Sequence, residues 1–348
     1  MKPRPIKPRP ISLALQGGGS HGAFEWGVIE RLLEDDKIEI KAVTAASAGA
    51  MNAAALVSGL ATGGREGAKA TLEAFWKKSS NSDSRNGTVF GDSGVWTAMM
   101  QPDWLKATPA WRWAEGFGAK LSPYEFNPFN LNPLKDVLEK TVDFAAIREH
   151  GEVALFIAAT GVRTGKAKVF KREELTVDHL LASACLPTLF HAVEIEGEPY
   201  WDGGYLANPP LWPLFYADTP NDLLLVTLNP FVREDLPRTP GEIMDRLNEI
   251  TFNAALSAEL RAIAFVQKLL DDGLLREDAR GRYRRMFVHA IAADGRLNDL
   301  SMASKFNTDW AFLSELRERG RKAADLWLAA NLKFVGVQSS VDLRAEFL

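Results

Sequence analysis

A chain of 348 residues, 46% apolar and 25% charged, has the composition of a folded protein with a full core and excludes a fibrous or disordered polymer. Its 41 basic and 45 acidic residues are spread along the chain and nearly cancel, so no overall field draws it to nucleic acid or to an anionic membrane. The single cysteine, Cys185, excludes an internal disulfide, and no Cys/His cluster has zinc-ligand spacing, which predicts no structural metal and a reducing compartment.

In chain order, residues 1–10 (MKPRPIKPRP) are basic but lack the apolar stretch of a signal peptide. The duplicated Lys-Pro-Arg-Pro-Ile unit favours polyproline II, and the segment reads as a disordered tail. No apolar run reaches the roughly 18 residues that span a bilayer, so the expected location is the cytoplasm, with peripheral contact to a lipid surface as the limit of membrane association. Residues 11–16 (ISLALQ) read as a short buried strand, broken by Gly17-Gly18-Gly19-Ser20-His21-Gly22. Residues 23–34 then show helical spacing through Phe24, Val28, Leu32 and Leu33. A second strand, 42–45, leads to Ser47 and Gly49 and on to an alanine-rich helix. Further strands are predicted over 153–159, 223–228 and 286–292, and helices over 177–184, 243–270 and 310–330; this alternation predicts an α/β fold with a mostly parallel sheet. Residues 79–133 interrupt it with Ser, Asn, Gly and Pro and with Trp96, Trp104, Trp111 and Trp113, the composition of a loop or cap inserted in one domain. Residues 216–348 are expected to pack on the same domain.

Taken by itself, the glycine loop has three readings. Successive N–H groups at a helix start can cradle a phosphate, form an oxyanion hole, or simply make a tight turn. Its Gly17-x-Gly19-x-x-Gly22 spacing satisfies the dinucleotide fingerprint, with Glu39 at the distance of the ribose-binding acid. Ala45-Ala46-Ser47-Ala48-Gly49 can hold a serine hydroxyl above a sheet at a sharp strand-to-helix turn, or Ser47 can merely cap the following helix. Asp202-Gly203-Gly204 can present a carboxylate, or be an ordinary Asp-Gly turn.

Together these three segments resemble the patatin-like phospholipase family: a glycine-rich loop after the first strand, G-x-S-x-G after the second, and D-G-G far downstream. Residues 182–187 (ASACLP) and 193–200 (VEIEGEPY) resemble the family's approach to the aspartate, which makes Cys185 a packing residue. Ala45 departs from the family's usual glycine. The resemblance covers about residues 11–215 and implies a three-layer α/β/α sandwich with a mostly parallel central sheet. It also implies a serine hydrolase that cleaves acyl esters of lipids without cofactor or metal. Ser47 is then the nucleophile and Asp202 its base; Gly17, Gly18 and Gly19 supply the oxyanion hole, and Gly22, Gly49, Gly203 and Gly204 support the motifs. Two rivals stay open at this point: a Ser47/Asp202/His289 triad in the α/β-hydrolase order, and a non-catalytic lipid- or nucleotide-binding protein. The aromatic segment, with Phe90, Phe117, Phe126 and Phe129 besides its tryptophans, suits an acyl groove or the packing of a long loop. Arg276, Arg280, Arg282, Arg284 and Arg285 read as a solvated loop.

Overall fold

The computed structural model describes residues 7–80, 122–275, 283–293, 296–297, 300 and 302–347. Strand β1 (Arg9–Leu15) is followed by helix α1 (Gly22–Leu33), β2 (Ile38–Ala45) and the long α2 (Ala48–Ser79), which bends at Gly63 and Gly64. After short helices come β3 (Ala154–Gly161), β4 (Lys166–Lys171), α3 (Val177–Ser183), β5 (Val193–Ile195) and β6 (Glu198–Asp202). The chain closes with β7 (Asp222–Thr227), α4 (Pro240–Asp271), β8 (Phe287–Ala292) and α5 (Trp310–Asn331).

The eight strands form one sheet in the order β5-β6-β3-β2-β1-β7-β8, with β4 also paired to β3. The β3-β2-β1-β7-β8 core is parallel, and β4, β5 and β6 are antiparallel additions. Alternation along the strands builds a core on each face. Ile11, Leu13, Leu15, Leu224 and Val226 pack beneath α1, α2 and α5, whereas Ala14, Leu223 and Leu225 face Leu256, Leu260 and Ile263 of α4. Helices on both faces of a mostly parallel sheet make a three-layer α/β/α sandwich, the expected fold. Ala45 is fully buried in the first of these cores, where its methyl is accommodated.

β1 starts at Arg9, two residues earlier than the sequence reading, so the last part of the segment read as a disordered tail lies in the sheet. Arg9 and Pro10 pair with Ile38 and Glu39, and the Arg9 guanidinium bonds to the carbonyls of Leu332 and Val335. Residues 1–6 of that tail, and residues 81–121 of the aromatic insertion, lie outside the described residues.

The register of β3 brings two chain ends together. Phe156 and Ile157 pair with β4 on one side and with Thr44 and Ala45 of β2 on the other; Ala159–Gly161 pair with the same β4 and with β6. Thus β2 and β6 occupy one edge of β3 and run toward each other, with Ala45 opposite Ile157 and Asp202 opposite Ala159. What leaves the carboxyl end of β2 must meet what leaves the carboxyl end of β6.

Candidate active site

Ser47 lies two residues beyond the end of β2 and immediately before α2. Its backbone is in the left-handed region, φ 53° and ψ −126°, which a non-glycine residue adopts at a cost of about 1–3 kcal/mol. The Ser183 hydroxyl on α3 accepts the Ser47 N–H at 3.0 Å and helps fix this turn. The Ser47 side chain makes no capping bond to α2; its Oγ donates instead to Asp202 Oδ2 at 2.7 Å. Nearby glycines make room for this placement. A Cβ at Gly17 would stand 2.5 Å from Ser47 Cβ, and one at Gly49 2.5 Å from the Leu15 carbonyl. At Gly22 it would meet Ala48 Cβ at 2.9 Å.

Asp202 has no solvent exposure. Its N–H donates to the Cys185 carbonyl at 2.8 Å, and its own carbonyl accepts from Thr160 Oγ1 at 2.8 Å, so the backbone is clamped on both sides. Oδ1 accepts the Gly204 N–H at 2.7 Å, leaving Oδ2 to Ser47. A Cβ at Gly203 would lie 2.3 Å from the Ala158 carbonyl, and one at Gly204 2.6 Å from the Phe252 ring. Burial pushes the Asp202 carboxyl up to about 6, against the opposing effects of Ser47, Gly204 and Lys305. A carboxylate with that affinity for protons is a far better base than an exposed one.

Two asparagines hold the glycine loop. Gly17, read as an oxyanion donor, gives its N–H to Asn208 Oδ1 at 2.6 Å and has none left for a substrate. Its carbonyl accepts from Asn229 Nδ2 at 3.2 Å and from Asn208 Nδ2 at 3.5 Å. In a trans peptide the carbonyl and the next N–H point in opposite directions, so this grip turns the Gly18 N–H away from the asparagines. The N–H groups of Gly18 and Gly19 make no bond to another element among the described residues. Gln16 extends the support. Its Oε1 accepts from the N–H groups of Leu228 and Asn229 at 2.6 and 2.8 Å, and its amide donates to Asn253 at 2.8 Å.

Gly18, Gly19, Ser47 and Asp202 line one cavity of about 160 Å³. Met51, Phe75, Trp76, Leu186, Phe190 and Phe252 make most of its remaining wall, while Asn248, Lys305 and Thr308 supply a polar side. A serine hydroxyl hydrogen-bonded to a buried carboxyl group, with N–H groups and an apolar wall beside it, is an arrangement chemically able to support acyl transfer to and from a long-chain ester.

Other sequence-level candidates lie elsewhere. Glu39 sits at the amino end of β2, opposite Pro10 and paired with Lys41 at 2.7 Å, whereas the glycine loop leaves the carboxyl end of β1; the dinucleotide reading fails on this geometry. His289 fails as a triad member. It is fully buried on β8, with Nδ1 on Ser340 Oγ at 3.0 Å and Nε2 on Asp222 Oδ1 at 3.1 Å, and Ser47 reaches Asp202 with no imidazole between them. Cys185 is packed against Leu189 and Phe190, bonds to the His191 carbonyl, and is pushed by burial up to about 12. Arg284 binds the carbonyls of Leu214, Ala217 and Thr219 and so ties down a loop; Arg276, Arg280 and Arg282 lie outside the described residues. Among the described residues no group of His, Cys, Asp or Glu is placed to hold a metal ion, and no helix is long and apolar enough to cross a membrane. The sequence reading missed Ser183, Asn208, Asn229 and Asn253. Two of them stood in or near recognised motifs: Ser183 inside the 182–187 segment, and Asn208 in the Asn-Pro-Pro run closely following Asp202-Gly203-Gly204.

Comparison with known proteins gives a family match. The family model described as patatin-like phospholipase matches residues 13–215. No curated protein matches significantly. Among solved structures, the chain is similar to the crystal structure of VipD from Legionella pneumophila at 17% identity and a TM-score of 0.40, with 92% of this chain and 67% of that one covered.

Proposed function

Since this chain belongs to the patatin-like phospholipase family, and so to the lipid acyl hydrolases, we propose that it cleaves acyl esters of lipids with Ser47 as nucleophile and Asp202 as base. The observation that carries this reading is the 2.7 Å bond from Ser47 Oγ to a buried, proton-avid Asp202, made at a strained turn inside an apolar cavity. Ser47 Oγ attacks the ester carbonyl as its proton passes to Asp202 Oδ2. The N–H groups of Gly18 and Gly19 receive the negative charge that develops on the carbonyl oxygen. Collapse breaks the ester C–O bond, and the departing alcohol takes the proton from Asp202. Water, deprotonated by Asp202, then attacks the acyl-serine and releases the fatty acid and Ser47.

In this reading residues beyond 215 belong to the same catalytic domain, because Phe252, Asn248, Lys305 and Thr308 complete the cavity wall. A lipid substrate implies at least transient contact with a lipid surface. A fluorophosphonate tests the nucleophile directly: the wild type should gain one adduct by intact mass, mapped to Ser47, and Ser47→Ala none. Labelling of a different residue, or none in folded wild type, would refute the assignment.

A further inference from the structure

The mechanism makes no use of the one charged side chain, other than Asp202, that lines the cavity among the described residues. Lys305 sits in a turn of 3-10 helix, residues Met302–Phe306, pressed on the glycine loop: a Cβ at Gly19 would lie 2.4 Å from the Lys305 carbonyl. Its Nζ donates to Asn229 Oδ1 at 2.7 Å and to Asn248 Oδ1 at 3.0 Å, and stands 5.7 Å from the centroid of the Phe252 ring. An ammonium has three N–H groups, and here two are taken by neutral amide oxygens. No carboxylate forms an ion pair with it among the described residues. Glu249 is held by Arg233 and Arg246, and Asp202 by Ser47 and Gly204. Burial pulls the amine down to about 8, against the opposite pull of Glu249, Asp245 and Asp202, so the ammonium is still the main form at pH 7. A partly buried cation whose only hydrogen-bond partners are neutral is costly for the free protein, and an arriving anion offsets that cost.

We propose that Lys305 is a subsite for an anionic group carried on the alcohol portion of the ester, so that the cavity favours acyl esters bearing a phosphate or carboxylate over neutral esters of the same chain length. The inference rests on the Ser47 and Asp202 reading for where the ester lies. The acyl chain takes the apolar wall at Met51, Phe75 and Trp76. The alcohol portion takes the polar side, where Lys305 lines the same cavity as Gly18, Gly19 and Ser47.

The test compares 1-decanoylglycerol 3-phosphate with 1-decanoylglycerol in wild type, Lys305→Met and Lys305→Arg. The wild-type ratio of kcat/KM should favour the phosphate ester, fall roughly 10- to 100-fold in Lys305→Met, and be largely kept in Lys305→Arg, as expected for one charge-assisted hydrogen bond. If Lys305 only held Asn229 and the glycine loop, both esters would lose equally; an unchanged ratio overturns the subsite. A binding measurement avoids dependence on that variant's folding or on turnover. By calorimetry, decyl phosphate should bind Ser47→Ala more tightly than decanol does, and equal affinities would overturn the proposal. Decanoate binding as tightly as decyl phosphate makes this a subsite for any single anion, whereas weaker decanoate binding makes it one for phosphate. A wild type that hydrolyses neither ester refutes the catalytic reading, and the calorimetry still judges the subsite.

Discussion

In the proposed mechanism Asp202 combines two properties that pull against each other: it must ionise to accept the Ser47 proton, and it has no solvent to stabilise its charge. With its carboxyl raised to about 6, kcat/KM for a neutral ester should climb as pH rises through that value and level off above it; a limb centred near the ordinary carboxylate value would contradict the burial argument. The sign for stability is the reverse. A folded-state value above the unfolded one makes the protonated form the stable one, so this group's contribution is fully present below about pH 4 and is lost as pH rises through about 6. Asp202→Asn should therefore be dead as an esterase and, at neutral pH, more stable by an amount on the order of 3 kcal/mol less the value of altered hydrogen bonds, which urea unfolding at pH 7 measures. The asparagine grip on the glycine loop makes a second prediction. Asn229→Ala leaves the Gly17 carbonyl only its longer bond to Asn208, and kcat should fall by up to roughly 100-fold with a smaller change in KM, since in the proposed mechanism a misdirected Gly18 N–H is a lost oxyanion donor. Equal kcat in Asn229→Ala and wild type would show that the loop orients itself. The tight turns that place Ser47 and Asp202 were legible because a side chain held at such a turn needs small neighbours, here Gly49 and Gly203, which leave a sequence mark. That Asn208 engages the Gly17 N–H was not legible, because a run of glycines marks where the backbone is free to turn, not which N–H is already taken.

At the level of elements, the site follows from β2 and β6 meeting along one edge of β3. The parallel strands and their helices were readable from apolar runs that alternate with helical spacing, and their ends agree within a few residues except for α2, which was read over its first turns only and runs on to Ser79. The β4, β5 and β6 strands were not read: they are three to six residues long, half exposed and rich in charge, so they carry no distinct pattern. That Ser47 and Asp202 would meet was thus available from resemblance, while the reason they meet was not. Another contact between elements was legible only as helical periodicity. α1 and α5 cross where Gly27 faces the Arg317 carbonyl and Gly320 faces the Phe24 carbonyl; in each case an added Cβ would lie 1.9 Å from that oxygen. The carboxylate of Glu30 clamps the same crossing through Arg317. Gly320→Ala should force the helices apart and lower stability by about 1–3 kcal/mol, read as a lower midpoint in thermal unfolding. A midpoint equal to wild type would mean that the helices separate at no cost.

For the molecule as a whole, the family resemblance ends near residue 215, but the sheet and the cavity do not. β7 pairs with β1 along Ser12–Leu15, β8 extends the sheet beyond it, and α4 covers the second core. A fragment ending at residue 215 would expose the apolar edge and one face of its central strand, and it is expected to be insoluble or to unfold without a cooperative transition. A soluble fragment that hydrolyses esters would divide the chain into two domains. The most direct test of the whole account is hydrolysis of p-nitrophenyl esters of graded acyl length by wild type, Ser47→Ala and Asp202→Asn, each verified as folded. The account predicts turnover by the wild type that rises toward longer chains, and loss of at least about 1,000-fold in both variants. Turnover by folded Ser47→Ala at the wild-type rate would contradict it.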